Sequence, residues 1–429
     1  MTPTGPAPAP IRIYGALADL VAPLAYQKVT AKLSRLGTAP ERLPERCGKP
    51  TAPRPDGPLI WCHAASVGES LSMLPLITQM GRLRDDLNFL MTSGTQTSAD
   101  ILSKRLPERT RHQFAPLDAR TYVRRFLDHW SPDAAIFVES ELWPNMIQQT
   151  RARDVPMALV NARISDRSVR NWKRFQQSAG YLLHHFEMIH CQDDRTEMHL
   201  RDLGIGHAKR GVNLKSLAEP LPYDAGMLEA LRQTTKDRRV WLAASTHPGE
   251  DEVVLAAHRT LLETYPDALL ILVPRHPERA EAIKALIAEA GLSMKQRSAG
   301  DGPEPQVSVY LADTLGEMGL WYTLCPLTVL CGSFSDVGGH NPYEPAQAGS
   351  FVLHGPRFAN FAHAYHELDA AGAGQSVADA AEIAAALKHG LASPAALQDK
   401  QVAARNFVSQ QGEAKEILAG DLFKALGLS

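Results

Sequence analysis

The sequence predicts an α/β protein built from two doubly wound, Rossmann-like domains, each a parallel sheet covered by helices. Three observations carry that expectation. Short apolar runs alternate with stretches of helical period, the pattern of buried parallel strands joined by crossover helices. At 429 residues the chain exceeds one ordinary core and suits two domains of roughly 200 residues each. Finally, four junctions combine small residues, a cap or turn residue and a carboxylate: Ala65-Ser66-Val67-Gly68-Glu69, Glu139-Ser140-Glu141-Leu142-Trp143-Pro144-Asn145, Ala244-Ser245-Thr246-His247-Pro248-Gly249-Glu250 and Gly338-Gly339-His340-Asn341-Pro342-Tyr343-Glu344-Pro345. Most follow an apolar run, and two fall in each half, where helix N-termini would meet a charged ligand at the carboxyl ends of strands. This layout predicts a cleft between the domains.

In residues 11–36, Leu17, Leu20, Val21, Leu24, Ala25, Val29 and Leu33 recur among cations. The first 50 residues hold seven Lys or Arg against three acids, an excess of four. Residues 1–36 therefore read as an amphipathic segment lying on an anionic membrane surface, or alternatively as a terminal helix packed on its own domain. Residues 37–58, rich in Pro, Gly and Arg, read as an extended linker opening a first domain that runs to residue 218. Strands are expected at 58–64, 87–92, 134–138, 156–160 and 188–191. Helices are expected after Glu69 and at 97–106, 121–129, 167–182 and 196–203. The pattern lapses near Gly211-Val212-Asn213-Leu214-Lys215, and Glu219-Pro220-Leu221-Pro222 reads as a break. The second domain, 219–429, restarts the rhythm with strands at 240–244, 268–273, 308–312, 327–331 and 351–354. Helices are expected at 249–265, 279–290 and 315–323, after Asn341-Pro342, and from 378 onward, the last helix either staying with the second domain or packing back on the first.

With 45 basic and 47 acidic side chains, the overall field gives no reason to expect a nucleic-acid partner. No apolar run approaches the 18 or so residues of a membrane span, and no cleavage pattern of a secretory signal is evident, so the protein is expected to stay inside the cell. Five widely spaced cysteines argue against a disulfide framework or a CxxC zinc site. Cys62, Cys191, Cys325 and Cys331 lie in or beside apolar runs, while Cys47 falls in the polar linker.

Ser66-x-x-Glu69 fits a capping box; the same carboxylate, at a sheet's ligand-binding edge, could instead take a proton from an acceptor hydroxyl. Asn341-Pro342-Tyr343-Glu344 likewise reads as cap, N1 and N3, or as a ribose contact following a long polar, glycine-containing loop. Ser245, Thr246, Arg275 and His276 follow successive strands and suit an anionic leaving group. Glu139, Glu141 and Asn145 surround the Trp143-Pro144 turn; solvent would ordinarily claim the two acids, but Arg163 and Arg167 after the next strand could pair with them or meet phosphate. No metal site is expected: neither His247-x-x-Glu250 nor His276-x-Glu278 has the specificity of a metalloprotease signature. Thr92-Ser93-Gly94-Thr95 lacks the lysine of a P-loop, and no GxGxxG follows the first strand.

These residues resemble the 3-deoxy-D-manno-octulosonic acid (Kdo) transferase family of lipopolysaccharide biosynthesis. The resemblance runs from the amphipathic start to about Phe361, through Trp61-Cys62-His63-Ala64-Ala65-Ser66-Val67-Gly68-Glu69, Glu139-Ser140-Glu141-Leu142-Trp143-Pro144-Asn145, Gly211-Val212-Asn213-Leu214-Lys215, Ala243-Ala244-Ser245-Thr246-His247, Val273-Pro274-Arg275-His276-Pro277-Glu278-Arg279 and Gly339-His340-Asn341-Pro342-Tyr343-Glu344-Pro345. It implies a GT-B glycosyltransferase that moves Kdo from CMP-Kdo to a phosphorylated lipid A precursor, with inversion, at the cytoplasmic face of the inner membrane and with no cofactor. It further implies an acceptor-binding first domain and a nucleotide-sugar-binding second one. Carried over residue by residue, it implies Glu69 as general base and Ser245, Thr246, Arg275, His276, Asn341, Glu344 and Lys215 as donor contacts. Ser66, Gly68, Glu139, Glu141 and Arg163 would serve the acceptor. Two departures stand out. Val21-Ala22-Pro23 and Lys28 interrupt the apolar anchor common in relatives, and Ser216-Leu217-Ala218 replaces the usual Phe-Asp continuation. The competing expectations are another GT-B enzyme, such as a UDP-sugar epimerase or transferase, and a non-catalytic membrane-surface protein.

Overall fold

The computed structural model describes residues 5–217 and 220–428. The chain forms two compact units, Met1–Ala218 with Gln411–Ser429, and Glu219–Gln410. In the first, seven parallel strands run β1 Leu59–His63, β2 Asn88–Ser93, β3 Thr110–Phe114, β4 Ala134–Val138, β5 Met157–Ala162, β6 Met188–Cys191 and β7 Ala208–Arg210, in the order β3-β2-β1-β4-β5-β6-β7. Every residue of β1 and β4 is buried. Because side chains alternate across a strand, Leu59 and Trp61 enter one core with Phe126, Phe137 and Leu159, while Ile60 and Cys62 enter the other with Met73, Ile77 and Ile136.

The second unit repeats the architecture with β8 Val240–Thr246, β9 Leu269–Pro274, β10 Met294–Gln296, β11 Val309–Leu311, β12 Leu327–Leu330, β13 Phe351–His354 and β14 Gly374–Ser376, all parallel, ordered β10-β11-β9-β8-β12-β13-β14. Leu242, Ala244, Ile271, Trp321 and Tyr365 fill one face; Trp241, Leu270, Val329 and Ile283 fill the other. The two sheets, each flanked by helices, make a GT-B-like pair of Rossmann domains. In both, sequence order reverses beside the first strand, between β1 and β4 and between β8 and β12. At such a reversal the connections leave in opposite directions, opening a crevice at the strands' carboxyl ends.

Residues 37–58 are not an extended linker. Pro40–Cys47 winds into a 3-10 helix that buries Glu45, Arg46 and Cys47, so all five cysteines are buried free thiols. Glu45 closes this segment onto the sheet by accepting bonds from Arg42 (3.0 Å), Thr51 (2.6 Å) and the Phe114 amide (2.6 Å). Gly48 ends it at φ +77, where a Cβ would lie 2.0 Å from the Tyr122 carbonyl. The helix expected at 167–182 breaks at Phe175 into Asp166–Arg174 and Gln176–Leu183.

The terminal helix Ala9–Arg35 is held by Leu33 against Ala99 and Phe114, by Tyr14 donating to Asp118 (3.0 Å) and by Asp19 pairing with Arg120 (2.6 Å). Its outer side exposes Ile13, Leu17, Leu20, Val21 and Leu24. No helix among the described residues is long and apolar enough to cross a membrane. At the other end, helix Pro394–Ala425 contributes Ala404 and Phe407 to the second unit's core, while Leu418, Ala419 and Leu422, with Leu426 beyond it, join Leu214 and Leu217 in the first.

Candidate functional site

Each unit gathers its candidate residues at its own switch point. In the first, β1 ends at His63 and runs through Ala64-Ala65 into the helix Val67–Leu83. Both halves of the capping box form: Ser66 Oγ accepts from the Glu69 amide (3.3 Å), and Glu69 Oε2 accepts from the Ser66 amide (3.5 Å). Glu69 is held further by the Ala65 amide on Oε2 (2.9 Å) and the Ser66 hydroxyl on Oε1 (2.7 Å). It is half-buried, and burial, with the Glu139 and Glu141 charges nearby, raises its pKa above the ordinary carboxylate value despite those bonds. Capping and base chemistry are thus compatible in one side chain: the cap fixes the carboxylate and its surroundings keep it basic. Gly68 has an ordinary φ, and its absent Cβ would meet nothing within 4 Å, which leaves room above the helix terminus.

On the neighbouring strand, β4 delivers Glu139 in the left-handed region, φ 55, and Asn161 at the end of β5 has φ 54. Non-glycine residues hold that conformation only where the surroundings impose it. Asn161 does so from both sides, donating to Glu139 Oε1 (3.4 Å) and accepting from the Leu214 amide (3.1 Å). Glu141 Oε2 lies 3.4 Å from His63 Nε2 and accepts from the Trp143 indole. Burial pushes its pKa up, but His63 and Trp143 outweigh burial and leave it below the ordinary value. His63, buried in the strand, contacts Thr92 Oγ1 through Nδ1 at 2.9 Å, and that hydroxyl also accepts from Trp61 (2.8 Å). Ser140 donates to the carbonyl of Arg163. The Arg163 and Arg167 side chains are exposed. Sequence reasoning missed His63: it looked like one more strand residue, and its partners lie 29 and 78 positions away.

In the second unit, β8 ends on Ser245 (φ 60) and Thr246. The Thr246 hydroxyl is fully buried without a hydrogen-bond partner among the described residues. The Thr246 carbonyl accepts from the Arg275 amide (3.1 Å) and the Arg279 guanidinium (3.1 Å), and Arg279 also pairs with buried Asp251. Arg275 and His276 are exposed. The His276 ring lies 5.9 Å from His247, which stacks on His340. The short helix begins at Tyr343, one residue later than the cap reading expects, because Pro342 occupies the N-cap position. Asn341 still serves the turn: it accepts from the Tyr343 amide (3.2 Å) and donates to Glu344 Oε1 (3.2 Å). Burial raises the Glu344 pKa, partly offset by Asn341 and Arg275. The structure therefore brings Ser245, Thr246, Arg275, His276, Asn341 and Glu344 to one sheet edge. Lys215 belongs to the first unit, in the turn Leu214–Leu217, and its side chain is outside the described residues. Among the described residues, no group of three or more His, Cys, Asp or Glu is arranged to hold a metal ion.

Comparison with known proteins bears on this pair of sites. Residues 41–217 match the family described as 3-deoxy-D-manno-octulosonic-acid transferase (kdotransferase). A probable mitochondrial 3-deoxy-D-manno-octulosonic acid transferase of Arabidopsis thaliana is 36% identical over 82% of this chain and 81% of its own length. The 3-deoxy-D-manno-octulosonic acid transferase of Bordetella pertussis is 33% identical over 92% of this chain and 94% of its own. The fold matches a crystallised glycosyltransferase from Rickettsia africae with a TM-score of 0.61, over 87% of this chain and 100% of that one, at 13% identity. With a third of its residues shared along nearly the whole length of such relatives, this chain is a glycosyltransferase of the 3-deoxy-D-manno-octulosonic acid transferase family.

Proposed function

We propose that this enzyme transfers Kdo from CMP-Kdo to a sugar hydroxyl of a phosphorylated lipid A precursor, inverting the anomeric configuration, at the cytoplasmic face of the inner membrane. The observation that carries the mechanism is Glu69: a carboxylate fixed by the Ala65 amide and by the Ser66 amide and hydroxyl at its own helix terminus, yet raised in pKa by burial and two neighbouring acids. A general base needs orientation and a proton affinity above that of an ordinary exposed carboxylate, and this environment supplies both. Glu69 takes the proton of the acceptor hydroxyl as its oxygen bonds to the anomeric carbon. The bond from that carbon to the CMP phosphate oxygen breaks, and CMP leaves with the electron pair.

The leaving phosphate gains charge, so its site needs donors and cations already in place. Arg275, His276 and Ser245 at the β8–β9 edge, with the buried unpaired hydroxyl of Thr246, suit that task. Asn341 and Glu344, held to each other, suit the ribose hydroxyls. Lys215 is a further donor contact in this reading. Ser66, Gly68, Glu139, Glu141 and Arg163 serve the acceptor, with Arg163 free to reach phosphate. The exposed stripe Ile13, Leu17, Leu20 and Leu24 on a helix that also bears Arg12, Lys28, Lys32 and Arg35 supports reversible attachment to an anionic bilayer.

The test is product formation from CMP-Kdo and a tetraacylated, bisphosphorylated glucosamine disaccharide, read by mass spectrometry. Wild type is expected to add Kdo, and Glu69→Gln to lose turnover by about 10²–10⁴. Comparable activity in the variant removes Glu69 as the base. Competition by UDP but not CMP overturns the donor.

A further inference from the structure

Glu250 is the first residue of the helix Glu250–Leu262 and is 1% exposed. Its two oxygens accept four hydrogen bonds, three of them from groups 82 to 85 positions away. Oε2 accepts from the His247 amide (3.0 Å) and the Gly332 amide (2.8 Å); Oε1 accepts from the Phe334 amide (3.0 Å) and the Ser335 hydroxyl (3.3 Å). A desolvated carboxylate persists only when so paired, and each such bond is stronger than one between neutral groups. One side chain thereby pins the turn leaving β8 to the start of the loop leaving β12, the two strands that flank the switch point.

The far end of that loop is fastened as well. Gly339 donates to the Gly332 carbonyl (2.7 Å), Tyr365 to the His340 carbonyl (2.8 Å) and Asn360 to the Val337 carbonyl (2.7 Å). His340 Nε2 meets His247 Nε2 at 2.9 Å, so the His247 turn is tied to one end of the loop through Glu250 and to the other through its own ring. Gly332, at φ +74, has no substitute here: a Cβ would stand 2.7 Å from the His340 ring.

We infer that Glu250 is a positioning residue for donor binding, fixing the 332–340 loop and the His247 turn in the conformation that receives the nucleotide sugar. The inference rests on the donor assignment proposed above and deepens it. Glu250 does not reach the ligand; it acts through the three amides and one hydroxyl it holds. Glu250→Gln is nearly isosteric but replaces one oxygen with an N–H donor, so it faces either His247 and Gly332 or Phe334 and Ser335 with a repulsive contact.

CMP affinity, steady-state kinetics and amide hydrogen exchange are measured on the full chain. Charge-assisted bonds of this kind are each worth about tenfold or more in an equilibrium. Glu250→Gln is therefore expected to weaken CMP binding at least about tenfold, to raise KM more than it lowers kcat, and to speed exchange at Gly332 and Phe334 while the first unit's amides stay protected. Ser335→Ala, which removes one bond of four, is expected to change CMP affinity by no more than about threefold. Arg275→Ala separates the two ideas. If Arg275→Ala leaves CMP affinity intact, the donor assignment falls. If Arg275→Ala weakens CMP while Glu250→Gln binds it as wild type does, the role of Glu250 falls alone. Should Glu250→Gln not fold, Glu250→Asp, too short to span both segments, replaces it, and unchanged CMP affinity in that variant is equally decisive.

Discussion

His247 and His340 face each other Nε2 to Nε2 at 2.9 Å, their rings inclined by 14°. A contact of that length needs one proton between the two nitrogens: one ring donates and the other accepts. A second proton would set two cations side by side, next to Arg275, His276 and Arg279. Burial first pushes both rings below the usual imidazole value: for His247 the nearby Glu250 charge opposes this while His276, Arg275 and Arg279 add to it, and for His340 the His247 ring, Arg275 and His276 add to it and bring it to about 4. The folded state therefore binds fewer protons here than the unfolded chain does. This contribution to stability is complete above about pH 6.5, the unfolded value, and drains away as pH falls toward 4. His340→Gln is expected to flatten the fall in unfolding free energy between pH 6.5 and 4.5 by up to about 1.4 kcal/mol per pH unit, measured by urea titration. Buried His258, also lowered to about 4, remains as background in the same unit. An unchanged slope refutes the shared-proton pair.

Ser66 gives a second pH-dependent outcome. Its hydroxyl caps the helix and donates to Glu69, a bond that lowers the Glu69 pKa. Ser66→Ala should cost about 1 kcal/mol of stability and move the acidic limb of the pH–rate profile to higher pH, since the base then ionises later. Activity that follows stability alone, with the limb in place, would count against Glu69 as the titrating group.

Leu20 and Leu24 are 77% and 68% exposed, so Leu20→Glu with Leu24→Glu leaves the fold intact. Binding to vesicles containing anionic lipid should fall by about tenfold or more, because two apolar side chains leave the interface and two negative charges meet it. Flotation assays at two ionic strengths check this. Equal binding by wild type and variant excludes the stripe as the attachment surface.

Asp118 is the anchor between that helix and the helix Pro144–Arg151, which follows the loop carrying Glu141. It accepts from Tyr14, from the Asn145 amide (3.1 Å) and from the Met146 amide (2.8 Å). Tyr14→Phe should cost about 1 kcal/mol. Asp118→Ala should cost about 2–4 kcal/mol, since it strips two backbone donors as well. Thermal unfolding of both variants tests the ordering.

The strands legible in the sequence are those buried on both faces, such as Leu59–His63 and Leu269–Pro274, because continuous apolar runs have few other uses. Thr110–Phe114, Ala208–Arg210, Met294–Gln296 and Gly374–Ser376 escape notice. They are short, mostly polar edge or near-edge strands, specified by pairing to a neighbour rather than by their own side chains. The helices Ala225–Thr235 and Ala362–Ala370 were also missed; only three residues of each are buried, too few to mark a period. Local chemistry is readable where its partners are close, as in Ser66-x-x-Glu69. Glu250 could be seen beside His247, but its bonds to Gly332 and Phe334 span 82 and 84 positions, and nothing in the local sequence encodes them.

The return of residues 411–429 to the first unit orders events in the cell. Leu418, Ala419, Leu422 and Leu426 leave the ribosome only after the whole second unit, yet they complete a core whose strands emerge hundreds of residues earlier. The first sheet must wait, with Leu214 and Leu217 uncovered, while the whole second unit is synthesised. Nascent chains stalled before residue 411 should therefore recruit chaperones that the released protein no longer needs.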